Sequence, residues 1–143
     1  KSLEMALAAG AGLACRPAYS RLAEALRYRT GGRGADVAFE AVGLSETVGL
    51  SIELVRKGGT VVLVGNRSPR IDFPLQKVVT GELRVLGSCA IRGEYEPVLD
   101  LLSSGMLSVD DQLVAVAPLE DGAAWFGKLA HKETPPGKVI LVP

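Results

Sequence analysis

Metal-binding side chains are scarce. The 143 residues contain two cysteines, Cys15 and Cys89, and one histidine, His131. Neither cysteine sits in a Cys-x-x-Cys. A zinc site needs three or four nitrogen, sulfur or oxygen ligands, so no metal centre is expected within this chain alone. Charge of one sign is also lacking: 16 Lys and Arg balance 16 Asp and Glu. A nucleic-acid partner, which requires a basic face, is therefore not expected. No apolar run approaches the roughly 20 residues that cross a bilayer, so no membrane partner is expected either. The start KSLEMALAAG has neither an initiating Met nor the parts of a signal peptide, so the chain reads as an excised piece. Two unpaired cysteines without an export signal point to the cytoplasm. No GxGxxG, GxxxxGK[ST], repeat or linker occurs. Hydrophobic residues make up 48% and charged residues 22%, ordinary for one soluble globular domain long enough to bury a core.

Within that composition, apolar spacing alternates between two periods. Ser2–Ala9 reads as a helix stopped by Gly10, and Leu13–Cys15 as a short strand. Tyr19–Arg29 is a helix broken by TGGRG. Asp36–Val42 (DVAFEAV) has the form of a strand covered on both faces. Ser45 can cap a helix over Thr47–Arg56 that Gly58-Gly59 ends, and Thr60–Val64 (TVVLV) is the clearest strand. A short helix after Pro74, a strand over Leu83–Cys89, a helix over Glu94–Ser104, a strand over Leu113–Ala117, a helix over Glu120–His131 and a last strand over Lys138–Val142 follow. Alternating strands and helices predict an α/β fold with a mainly parallel, doubly wound sheet.

In such sheets ligands bind beyond the carboxyl ends of the strands. The places to inspect are therefore Ala41–Gly43, Val64–Asn66 and Ser88–Ala90. Gly43 and Gly65 could bare the backbone to a flat ligand or serve as plain turns. The cluster Gly31-Gly32-Arg33-Gly34 is not a phosphate loop: it runs from helix into strand, and a phosphate loop runs the other way. Glu40, inside a strand, is costly unless bonded; it could hold a ligand or cap backbone groups. Asp36 reads as a turn cap, Cys89 as a packing residue, His131 as a solvated helix end, and Trp125 and Phe126 as core or interface.

Taken together these segments resemble the medium-chain, zinc-type alcohol dehydrogenase family. The resemblance is strongest in TGGRGADVAFEAVG and VRKGGTVVLVGN. It continues through ELRVLGSCA, GEYEPVLDLLSSGML, APLEDGAAWF and PPGKVILVP. Within the family the chain looks closest to the polyol, threonine and sugar-alcohol dehydrogenases. The resemblance implies that 1–143 is the C-terminal part of a Rossmann-like dinucleotide-binding domain. The GxGxxG turn, the residue that selects NAD or NADP and the zinc-bearing catalytic domain would lie upstream.

It further implies that Val42 and Gly43 lie under the adenosine half of NAD or NADP, that Val64, Gly65 and Asn66 approach the nicotinamide, and that backbone at Ser88 and Ala90 bonds the carboxamide. Lys138 would face the diphosphate. A homo-oligomer would join sheets near Ile71–Ala90. The implied activity is hydride transfer between an alcohol or polyol and NAD(P), with zinc held only by the parent enzyme and no catalytic residue in this chain. A zinc-free quinone or enoyl reductase, or a non-catalytic nucleotide-binding or interaction module, are the alternatives.

Overall fold

A computed structural model of the chain describes residues 2–16, 19–135 and 137–143. In chain order its elements are α1 (Ser2–Ala8), α2 (Tyr19–Arg29), β1 (Ala35–Glu40), α3 (Ser45–Leu54), β2 (Val55–Leu63), α4 (Leu75–Thr80), β3 (Arg84–Gly87), α5 (Tyr95–Ser103), β4 (Leu113–Pro118), α6 (Gly122–Ala130) and β5 (Lys138–Val142). A 3-10 turn precedes β4 and another precedes α6. The chain divides into two compact units, Cys15–Ala90 and the pair of segments Lys1–Ala14 and Ile91–Pro143.

The unit Cys15–Ala90 holds a three-stranded parallel sheet in the order β1-β2-β3. Side chains alternate across it, so Ala38, Val61 and Val85 share one face, while Phe39, Val62 and Leu86 form a row on the other. The first face is the core: Val48 and Ile52 of α3 close over Val55 and Val61, with Ala38, Leu63, Ile71, Val78 and Leu83 around them. Val61 is fully buried. Burying such a side chain contributes about 1.5–3 kcal/mol, enough for this small cluster to fix α3 on the sheet. The opposite face stays open, with Phe39 74% and Leu86 52% exposed. The expectation that DVAFEAV is covered on both faces is thus corrected. Its apolar residues alternate in environment because α3 packs on one side only.

Several boundaries move for local reasons. Helix α3 begins at Ser45, so Ser45 is not its cap. Leu44 stands at the N-cap and the Thr47 hydroxyl reaches back to accept from its N–H (3.3 Å), while the Ser45 hydroxyl accepts from the Asp72 N–H (2.9 Å). Strand β2 starts at Val55, before Gly58-Gly59, because a bulge between its Val55 and Thr60 pairings absorbs the glycines. Thr30, not Asp36, closes the TGGRG turn, its hydroxyl accepting from the Gly34 N–H (3.0 Å). Asp36 instead pairs with Arg56 at 2.5 Å. Leu13–Cys15 is not a strand.

In the other unit, β4 and β5 form a separate two-stranded parallel sheet joined through α6. The strands are all parallel as expected, but they belong to two sheets: β4–α6–β5 is a crossover unit complete in itself. Helix α6 starts at Gly122 after a 3-10 turn at Leu119–Asp121. Lys128 lies over the Trp125 ring at 4.5 Å. Phe126 is exposed and not core. His131 ends the helix with Nδ1 at 2.8 Å from the Gly127 carbonyl.

Candidate functional site

The tips of β1, β2 and β3 meet at one end of the three-stranded sheet because parallel pairing aligns their ends. Glu40 pairs with Leu63, and Leu63 with Gly87. The chain leaving β2 and the chain leaving β3 then run side by side, held by the Ser88 N–H donating to the Leu63 carbonyl (2.9 Å). Between them lies an open cavity of about 520 Å³ lined by Leu63, Val64, Gly65, Asn66, Gly87, Ser88, Cys89 and Ala90. The structure therefore brings Val64, Gly65, Asn66, Ser88 and Ala90 into one site.

Its chemistry is that of a wall and a rim. Val64 is half exposed and gives the cavity an apolar side. Gly87 faces open space, with no atom within 4 Å of where a Cβ would stand. Ala90 has a left-handed backbone, φ 53°, an uncommon state for a residue with a side chain. Since the Ser88 N–H is engaged, its carbonyl is the group left to meet a ligand. Among the described residues the Ala90 N–H has no protein partner. The rim thus offers an acceptor and a donor two residues apart, the pair that a primary carboxamide requires.

Val42 and Gly43 leave the tip of β1. Here the glycines let two loops approach closely. A Cβ on Gly43 would stand 2.6 Å from the Asn66 and Arg67 nitrogens. The room left by the missing side chains is filled by the neighbouring loop.

Glu40 holds this junction together. It is 3% exposed, a charged side chain within the core. Its Oε1 accepts from the Val42 and Gly43 N–H groups (2.9 Å each), and Oε2 from Gly43 (3.0 Å). Burial pushes the carboxyl pKa up, but the donors Gly43 N–H, Thr47 hydroxyl and Val42 N–H outweigh it and hold the group below its ordinary value. With both oxygens accepting backbone N–H groups, Glu40 caps the exit of β1. Its place within DVAFEAV was visible in the sequence; which of its two open roles it fills was not.

Lys138 belongs to the other unit. It opens β5 and lines a cavity of about 760 Å³ with, among others, Met5, Ala9, Met106 and Asp111. Leu63 and Gly87 were not singled out as binding positions, and Cys89, read as a packing residue, is instead exposed on the cavity lining. Gly87 carried a usable signal, a glycine at the carboxyl end of a strand. Among the described residues no group of three or more His, Cys, Asp or Glu could hold a metal, and no helix is long and apolar enough to cross a membrane.

Known proteins share this fold. Residues 1–104 match the family described as zinc-binding dehydrogenase. The chain belongs to that family. D-xylulose reductase A from Aspergillus oryzae is 36% identical over 96 residues, 66% of this chain and 27% of that protein. The alcohol dehydrogenase TADH from Thermus sp. ATN1 superposes with a TM-score of 0.82 at 31% identity, covering 99% of this chain and 41% of that one. A Sinorhizobium meliloti 1021 protein solved with NADP bound superposes at 0.81 with 26% identity, over 99% of this chain and 42% of that one. This zinc-binding dehydrogenase chain thus spans well under half the length of the proteins it matches, and its Rossmann-like fold is theirs.

Proposed function

We propose that the protein is an NAD(P)-dependent oxidoreductase of the zinc alcohol dehydrogenase type, acting on an alcohol or polyol, and that residues 1–143 are part of its cofactor domain. The observation that carries this reading is the cavity at the β2 and β3 tips. The similarity to D-xylulose reductase A and to an NADP-bound relative supports the substrate class and the cofactor.

A nicotinamide fits the residues present. The apolar Val64 suits the face of the ring, the open side of Gly87 leaves it room, and the Ser88 carbonyl and Ala90 N–H match its carboxamide. When bound, the nicotinamide supplies the hydride acceptor, and a zinc held outside this chain polarises the alcohol oxygen. This chain orients. Gly65 and Asn66 complete the wall, and Val42 and Gly43 underlie the adenosine half. Two free, exposed cysteines suit a reducing compartment, and we assign the protein to the cytoplasm. We also assign a homo-oligomer built through the Ile71–Ala90 region.

The test is a calorimetric titration of the intact protein with NADH and with NADPH, beside its metal content. Binding of one nucleotide, together with alcohol-dependent reduction of its oxidised form, is the expected result. Failure of both nucleotides to bind would overturn the reading.

A further inference from the structure

Glu40 uses its two ends on two different loops. Its carboxylate takes the Val42 and Gly43 N–H groups at 2.9–3.0 Å, and its main-chain carbonyl takes the Val64 and Gly65 N–H groups at 2.8 and 2.9 Å. The Gly43 carbonyl in turn accepts from the Ser68 N–H (3.0 Å), closing the link from the other side. One residue therefore sets the spacing between the loop after β1 and the loop after β2. Val64 and Gly65, the wall of the cavity, hang from it directly.

A loop held by backbone N–H donors on a buried carboxylate is a stiff support. The acceptor is charged, so each bond is stronger than a neutral one. The charge is enclosed, so the donors cannot turn to water without exposing it. No buried side-chain nitrogen or oxygen among the described residues is left unpaired. Both carboxylate oxygens accept from backbone within the protein, so the influence of Glu40 passes through the loops it holds.

We propose that Glu40 is a positioning residue for the dinucleotide: by fixing the loop after β2 against the loop after β1, it sets the affinity of the site for the cofactor without touching the reacting atoms. This rests on the cofactor reading above and extends it to a residue outside the cavity lining. A Gln can keep its oxygen at the Oε1 place, where both N–H groups already donate, but it loses the charge and sets an N–H₂ against the Gly43 N–H where Oε2 now accepts. An Asp keeps the charge but is one methylene too short to reach both.

The experiment uses the intact protein with Glu40→Gln and Glu40→Asp, and NADH or NADPH, whichever the wild type binds. Amide hydrogen exchange at Val42, Gly43, Val64 and Gly65 is expected to accelerate in Glu40→Gln, with or without nucleotide. The nucleotide Kd is expected to rise about tenfold, with kcat at saturating nucleotide held within about twofold, and Glu40→Asp is expected to fall between. A folded Glu40→Gln whose Kd equals that of the wild type overturns the proposal, as does a fall in kcat with Kd unchanged. If Glu40→Gln does not fold, Glu40→Asp decides: faster exchange with an unaltered Kd overturns it. If the wild type binds neither nucleotide, the cofactor reading fails and this proposal with it, and the exchange data still report whether Glu40 holds the two loops.

Discussion

Gly43 and Gly65 pack backbone against backbone, with no side chain between them. A Cβ on Gly65 would collide with the Gly43 nitrogen and the Val42 main chain, and one on Gly43 would stand 2.6 Å from the Gly65 carbonyl carbon. The contact joins the exits of two adjacent strands, one of which donates the Gly43 N–H to the Glu40 carboxylate.

Alanine at either glycine is therefore expected to force the loops apart. Overpacking of this kind costs about 1–3 kcal/mol. Gly43→Ala should cost more than Gly65→Ala, because Gly43 also has φ 81°, which adds strain for any residue with a Cβ. Urea unfolding of the two variants checks the order: a larger loss for Gly65→Ala would contradict it.

Acid is expected to destabilise the protein through Glu40. Its folded pKa lies below the ordinary value of 4.5. A depressed carboxyl pKa means that folding favours the ionised form. The stabilisation is thus fully present above about 4.5 and is lost as pH falls through the lower, folded value. Replacing Glu40 by Gln removes a charge-assisted bond worth about 1.5–3 kcal/mol at neutral pH and should flatten the pH dependence of the melting temperature below pH 5. An equally steep acid limb in the variant would show that another group dominates.

Val64→Trp is expected to fill the cavity side on which the nicotinamide is placed. The intact variant should melt near the wild-type temperature, because Val64 is 48% exposed. It should also bind NADH or NADPH at least about tenfold more weakly. A fluorescence titration reads both; unchanged affinity would remove Val64 from the site.

Ile52→Ala is expected to cost about 2–5 kcal/mol, since Ile52 is 3% exposed between Val48, Val55 and Val61. The loss should appear in thermal unfolding, with nucleotide affinity preserved at temperatures where the variant stays folded.

Much of this was legible beforehand where one local rule acted alone. Tyr19–Arg29 and Lys138–Val142 begin and end where their periodicity does. The three strand exits at Gly43, Gly65 and Ser88 follow from parallel pairing. The sequence was less informative where tertiary contacts decide. Ser45 looks like a cap, but the Asp72 N–H claims its hydroxyl from 27 residues away. Val37 and Phe39 read as buried because strand composition does not say whether one face or both will be packed. Gly43 and Gly65 read as ligand floor or as plain turns, and only coordinates show that the backbone of each also occupies the space of the other's missing side chain.

The outer edge of β1 has no hydrogen-bonded neighbour among the described strands, and beside it Phe39 and Val37 lie open on the sheet surface. An unsheathed lateral row of amides flanked by grease is adhesive. Prepared on its own, this polypeptide should therefore turn cloudy as it is concentrated, and a charged residue at Phe39 should keep it clear.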